Sequence, residues 1–333
     1  MNKSNNLKTI DCINDLLKDL YIDLRKKVNY WSSLTNQTAQ ARMGYIGQHL
    51  VSVVTGFKGS KSGARGKDLI LSATEYAEIK TCSRVDQLGL CKHCKSPVSS
   101  TEIECPNCHS KDIERKDDSK WLISITEEYP SKNALDDSED ILVNINKPKY
   151  YYFVLFEFKD LKKTDSPIVV TIYRVDPKFD GFTLCMIDYF YNIKNNAPFN
   201  MWPHMLKFNL CYPEIIYRSE IDSIGNIQTY VFNNEEPLIE PFDNLVQYAR
   251  GKNLTESTLR NLCEEFNQPI SNTAKDVLKN IESYAANQKM NNKTLVTKFC
   301  RAFYKEGIEK AKKRLAVEGK SIPSVFSEYI DTL

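Results

Sequence analysis

Asp68, Glu78 and Lys80 are the residues of this chain whose types and spacing could do chemistry together. Two carboxylates can hold a divalent cation, and a lysine beside them can position a water and offset developing negative charge. Cleaving a phosphodiester needs a nucleophilic water, a sink for charge on the phosphoryl oxygens and stabilisation of the leaving alkoxide. Mg²⁺ suits that task because it keeps several waters and accepts phosphate oxygens as ligands. The pattern therefore predicts Asp68 and Glu78 as Mg²⁺ ligands, with the Ile79 carbonyl as a third, and Lys80 as the catalytic amine. An Asp followed some residues later by Glu-x-Lys arises by chance in lysine-rich chains, so the elements around it must decide.

Those elements form an ordered series. Met43, Ile46, Leu50, Val53 and Val54 recur at helical steps over residues 37–55, and Gly56 is placed to end that helix. Gln48 lies on it, one turn from Gly44, whose missing side chain predicts a close approach to a neighbouring backbone. The run GFKGSKSGARGK follows, holding four of the protein's twelve glycines and the cations Lys58, Lys61, Arg65 and Lys67. Such a run reads as a solvated loop or as a track of amides and cations for phosphates. It delivers the chain straight into Asp68, which favours the phosphate track. Asp68–Leu71 and Tyr76–Lys80 read as strands joined by a turn over 72–75. Strand alternation puts Tyr76, Glu78 and Lys80 on one face and Glu75 on the other, so Glu78 is the partner of Lys80.

A second constellation lies just beyond. Cys91-Lys92-His93-Cys94 and Cys105-Pro106-Asn107-Cys108 are two Cys-x-x-Cys pairs. Four thiolates at this spacing can surround one Zn²⁺ tetrahedrally, each pair on a tight knuckle. Such a site is closed and leaves no open position for catalysis, so the zinc is expected to be structural. His93 and His109 are read as bystanders. The ribbon is placed at 86–116, an insertion between core strands.

The order helix, glycine-basic loop, Asp at a strand start, turn and Glu-Ile-Lys strand resembles the PD-(D/E)XK nuclease superfamily, and within it the type II restriction endonucleases. The resemblance puts Asp68 at the first acidic position and Glu78 and Lys80 at the paired positions. Gln48 falls where many members carry a residue supporting the metal or its water. Lys67 replaces the proline of the motif's name, and a zinc ribbon after the Glu-x-Lys strand is not general to the superfamily. The resemblance implies Mg²⁺-dependent, site-specific cleavage of double-stranded DNA by a homodimer, with a cognate DNA methyltransferase as system partner, in a bacterial or archaeal cytoplasm.

The rest of the chain sets the frame. With 333 residues, 41% hydrophobic and 26% charged, it has material for a substantial folded core. Net charge is only +2, so DNA binding must rest on local clusters. No apolar run reaches the roughly 18 residues of a membrane span, and no secretory signal is read at the start. Six scattered cysteines beside the two pairs fit reduced thiols plus one metal site. Residues 7–29 read as an amphipathic helix through Ile10, Ile13, Leu17, Leu20, Leu24 and Val28. Residues 127–140 read as an acidic, solvated loop. Residues 150–192 read as central strands, the last run strand or helix, and 197–221 as irregular. Thr255 or Ser257 caps the first of several helices in 255–333, with breaks expected between 293–304 and 305–318. Lys289 to Lys320 carries ten basic and three acidic residues, a candidate DNA-backbone surface.

The expected fold is therefore an α/β, PD-(D/E)XK restriction-endonuclease-like mixed-sheet core over 1–250 with the inserted ribbon, then a helical, basic region over 251–333. The rival readings are a structure-specific or methyl-directed DNA nuclease and a non-enzymatic zinc-ribbon DNA-binding protein, which would leave Asp68, Glu78 and Lys80 without a role.

Overall fold

The computed structural model describes residues 7–333 except 36, 38, 40, 61–66, 100–101, 124–137, 194–198, 233–235, 240–253, 272 and 332. The chain divides into two compact units. The first comprises Met1–Trp121, Tyr150–Arg174 and Glu214–Leu238, the second Leu122–Lys149, Val175–Pro213 and Ile239–Leu333.

The first unit is built on a mixed sheet. Its strands are β1 (Leu69–Ile70), β2 (Tyr76–Ser83), β7 (Tyr150–Phe158), β8 (Ile168–Val175), β10 (Glu214–Ile221) and β11 (Ile227–Phe232), in the order β1-β2-β7-β8-β10-β11, and the short β12 (Leu238–Ile239) also pairs with β10. β1 runs antiparallel to β2, β2 parallel to β7, and β10 antiparallel to both β8 and β11. One sheet face is covered by α1 (Ile10–Leu17) and α3 (Met43–Thr55), where Leu17, Leu50 and Val54 pack with Ala77, Ile79 and Val154. The opposite face of β2 carries Glu78 and Lys80, paired in register with Tyr151 and Phe153 of β7.

The N-terminal helix is longer than the expected 7–29 and changes phase. A π-helical segment, Lys18–Asp23, separates α1 from α2 (Leu24–Thr35). Its wider turn carries the buried stripe from Ile13 and Leu17 to Tyr21, and leaves Leu20 exposed. α3 ends at Gly56, which is left-handed with φ 80°, as the sequence predicts.

Between β2 and β7 the first unit inserts a three-stranded module of β3 (Gly89–Cys91), β4 (Pro97–Val98) and β5 (Ile113–Glu114), in the order β4-β3-β5. Buried Arg84 clamps its stem. The guanidinium donates to Asp117 at 2.9 Å and to the Ser119 carbonyl at 3.3 Å, and the Arg84 amide donates to Phe156 O. The module's return leads into β6 (Trp121–Ile123), which forms a two-stranded sheet with β9 (Phe199–Met201).

The second unit is largely helical. It holds α4 (Ser138–Ile145), α5 (Asp180–Asp188), α6 (Leu206–Leu210), α7 (Glu256–Glu265), α8 (Ala274–Asn287), α9 (Asn292–Val317) and α10 (Ser327–Ile330). Within the 150–192 stretch, the last run is helix rather than strand and continues as a π-helical turn over Tyr189–Ile193. The irregular reading of 197–221 also gives way, since Glu214–Ile221 is a central strand of the first unit's sheet. Thr255 caps α7 by accepting from the Thr258 amide. The expected break near 305 is absent: α9 is continuous for 26 residues, and Gly307 lies inside it against Asp188. The acidic run 127–140 lies outside the described residues up to 137. No described helix is long and apolar enough to cross a membrane.

Candidate active site and metal centre

The first cluster forms where α3, the β1–β2 hairpin and the glycine-basic loop meet. Asp68 immediately precedes β1, and the pairing of Leu69 with Ala77 and Ile70 with Tyr76 folds it back against β2. Its two carboxylate oxygens are used separately. Oδ1 accepts from Gln48 Nε2 at 2.7 Å, and Oδ2 accepts from the Ile79 amide at 2.9 Å. Glu78 sits beside it, and Lys80 Nζ lies 3.6 Å from Glu78 Oε2. All four predicted residues, Gln48, Asp68, Glu78 and Lys80, are thus brought into one contact network.

The electrostatics of this network are strained. Glu78 is pushed from an ordinary 4.5 up to about 7. Burial is the main cause; Lys80 pulls it back down, while the adjoining Asp68 and a hydrogen bond shared with it push it up. Two carboxylates held side by side, one of them resisting ionisation, suit a divalent cation, whose charge removes the mutual repulsion. The donor set therefore fits a hard metal ion.

Three features of this network escaped the sequence. The Ile79 amide is a positioning donor to Asp68. Gly44 does not make the close approach expected of it: a Cβ there would meet nothing within 4 Å. The close approach is at Gly47, where a Cβ would fall 1.9 Å from Thr81 Oγ1, so α3 lies directly on β2 one residue beyond Lys80. Gly59 lies against the Asp68 carbonyl, 2.8 Å from the site of a Cβ.

The loop is closed at its base by Ile70 N donating to Lys58 O and by Ser60 Oγ donating to Lys67 O, at 2.9 and 2.8 Å. Lys58 and Lys67 are exposed, and Lys67 Nζ lies 4.8 Å from the Tyr76 ring centroid. Lys61 and Arg65 lie outside the described residues.

The four cysteines of the inserted module converge. Their sulfur atoms all lie within 4.8 Å of one another, with Cys91–Cys108 at 3.6 Å and Cys94–Cys105 at 3.4 Å. A tetrahedron of Zn–S bonds of about 2.3 Å spaces its sulfurs at roughly 3.8 Å, whereas a disulfide needs about 2.05 Å. The two knuckles match. Lys95 N donates to Cys91 O and His109 N to Cys105 O, both at 2.9 Å, and Lys95 and His109 have φ of 61° and 57°. The cluster can hold a metal such as zinc. His109 is exposed and turns its Nδ1 to Glu104, 3.2 Å away, so it adds no ligand.

A family model described as MamI restriction endonuclease matches residues 30–242, which span the network, the cysteine module and the sheet. The type II restriction enzyme MamI of Microbacterium ammoniaphilum is 34% identical over 74 residues, covering 21% of this chain and 23% of that enzyme. The aligned stretch is thus about a quarter of the relative's own length. No solved structure matches the chain.

Proposed function

The chain belongs to the MamI restriction endonuclease family, and from that premise we propose that it is a type II enzyme hydrolysing phosphodiester bonds of double-stranded DNA at specific sites with Mg²⁺. The observation that carries this reading is the network of Gln48, Asp68, Glu78 and Lys80 at the α3–hairpin junction. It fits a PD-(D/E)XK arrangement, in which Asp68 and Glu78 hold the cation. When bound, Mg²⁺ supplies charge to the phosphoryl oxygens and a water of lowered pKa.

The protein's own residues do the rest. Gln48 and the Ile79 amide fix the Asp68 carboxylate, so its orientation is set before substrate arrives. Lys80 stands beside Glu78 and is placed to orient the attacking water and offset charge on the phosphorus. Lys58 and Lys67, at the base of the glycine-basic loop, contact backbone phosphates on the flank. In this reading the Cys91, Cys94, Cys105 and Cys108 module holds Zn²⁺ and is structural. The enzyme acts in the cytoplasm as a homodimer, whose symmetry matches a palindromic site. A cognate DNA methyltransferase protects the host without a stable complex.

Incubating the full chain with unmodified plasmid and Mg²⁺, then mapping the ends, tests the reading. Discrete fragments with a common end sequence support it, and loss of cleavage in Glu78→Ala and Lys80→Ala with DNA binding retained assigns the site. Cleavage only of branched DNA, or only of methylated plasmid, would replace it with a structure-specific or methyl-directed nuclease. DNA binding without cleavage under any divalent metal would leave a zinc-ribbon DNA-binding protein.

A further inference from the structure

Gly44 is a residue of α3 that the fold gives no reason for. Glycine is the poorest helix former after proline, so within a helix it calls for a cause. Gly56 has one in its left-handed backbone at the end of α3, and Gly47 has one in the contact with Thr81. Gly44 stands in the first turn of the helix, is exposed, and does not have a positive φ. Among the described residues, no atom lies within 4 Å of the place a Cβ would take. The fold would accept a side chain there.

The helix fixes the direction in which that side chain would point. At about 100° per residue, position 44 lies about 20° from Val51, which is buried, and about 40° from Gln48 on the other side. It therefore borders the face that packs on the sheet, on the side from which Gln48 reaches Asp68 at 2.7 Å. Helical side chains lean towards the N-terminus, so Gln48 inclines over the turn that holds Gly44. The charges around it are one-sided. The chain has 43 acids in 333 residues, yet none falls between Asp23 and Asp68, a stretch that carries eight Lys or Arg and has Gly44 near its middle. Arg25 and Lys26 of that stretch pair with Asp86 and Asp23, but no carboxylate within it would repel a phosphate at Gly44.

We infer that Gly44 is bare because the DNA strand being cut lies against it, its sugar–phosphate backbone taking the space that a side chain would fill beside the Gln48–Asp68 contact. The inference rests on the DNA-cleavage reading above and adds where the strand runs. A glycine with no neighbour of its own admits the close approach of another backbone, and the acid-free stretch around it suits a polyanion.

Thermal melts and cleavage kinetics of the full chain on unmodified plasmid with Mg²⁺ test this, using wild type, Gly44→Ala and Gly44→Leu. Both variants are expected to melt at or above wild type, since each is the better helix former. Their kcat/KM is expected to fall with the size of the side chain, several-fold for alanine and at least roughly a hundredfold for leucine. Gly44→Asn and Gly44→Asp, equal in shape, test the charge by fluorescence anisotropy in a Glu78→Ala background. The aspartate favours the first turn of a helix but repels a phosphate, so stability and affinity are expected to move in opposite directions. It should bind DNA at least about tenfold more weakly than the asparagine at low salt, with a gap that narrows as salt rises. A leucine variant that melts normally and cleaves at the wild-type rate overturns the inference and leaves the nuclease reading intact. Equal affinities of the asparagine and aspartate variants do the same. A wild type that cuts no DNA overturns both. Should the leucine variant melt below wild type, the charge pair decides: its gap supports the strand at Gly44, and the lack of one overturns it.

Discussion

At Glu78 the proposed function and the stability of the fold pull against each other. Its folded pKa of about 7 lies above the ordinary 4.5, so between those values the folded protein keeps a proton that the unfolded chain has lost. For this group, stability of the metal-free protein falls as pH rises from about 4.5 to about 7, by something on the order of 2 kcal/mol. Glu78→Gln removes the charge while keeping the shape. We expect it to raise the melting temperature of the metal-free protein by a few degrees at pH 7.5, with little effect at pH 4.5, while abolishing cleavage. Mg²⁺ is expected to raise the wild-type melting temperature at pH 7.5 and to leave that of the variant nearly unchanged. A variant less stable than wild type at pH 7.5 without metal would show that Glu78 is stabilising as it stands, and the carboxylate pair would lose its meaning as a cation site.

At the scale of elements, the site depends on how closely α3 lies on β2. A methyl at position 47 would fall 1.9 Å from Thr81 Oγ1 and 2.9 Å from its Cβ, so Gly47→Ala must push the helix away from the strand. We expect it to cost about 1–3 kcal/mol and to lower cleavage more than stability alone explains, because Gln48 is drawn off Asp68. Thr81→Ala removes the hydroxyl and the methyl and should restore part of both, measured by thermal melts and initial cleavage rates. The cysteine module makes a parallel claim: the purified chain should carry one zinc per chain. Cys105→Ser should lose it and open 86–116 to proteolysis, as metal analysis and limited digestion would report. The sequence revealed some of this and hid the rest for physical reasons. Alternation along Tyr76–Lys80 marked Glu78 and Lys80, because a strand's faces are fixed by its period. The choice between Gly44 and Gly47 was hidden, since both lie on one helix and only the tertiary partner, Thr81, tells them apart. The π-helical turn at Lys18–Asp23 was hidden for a similar reason: it exchanges Leu20 for Tyr21 at the core, and packing drives that exchange rather than local propensity.

For the molecule as a whole, the question is which cations meet DNA when the net charge is only +2. Counting along the sequence points to Lys289–Lys320, but counting ignores partners. Lys298 pairs with Glu265, Arg301 with Asp180, Lys305 with Glu264, Lys312 with Glu309 and Lys320 with Glu318, while Arg314 donates to Tyr191 O. Six of the ten basic residues there are engaged within the fold, three of them with acids on α5 and α7 that lie far away in the chain. Their charge is largely cancelled where it stands, so the basic end seen in the sequence is a weaker field in the folded protein. Lys58 and Lys67 differ, being exposed at the base of the loop that leads into Asp68. On double-stranded DNA each phosphate contact contributes about 0.9 to the slope of log affinity against log salt concentration. We therefore expect Lys58→Ala/Lys67→Ala to shallow that slope by about 2 and to weaken binding alike on cognate and non-cognate DNA. Lys305→Ala/Lys312→Ala, which removes two cations already paired, should leave it nearly unchanged. Fluorescence anisotropy with a Glu78→Ala background, which prevents cleavage, would read both slopes over a salt series. If the second pair of substitutions shallowed the slope and the first did not, the phosphate track would belong to the helical region and not to the loop that leads into Asp68.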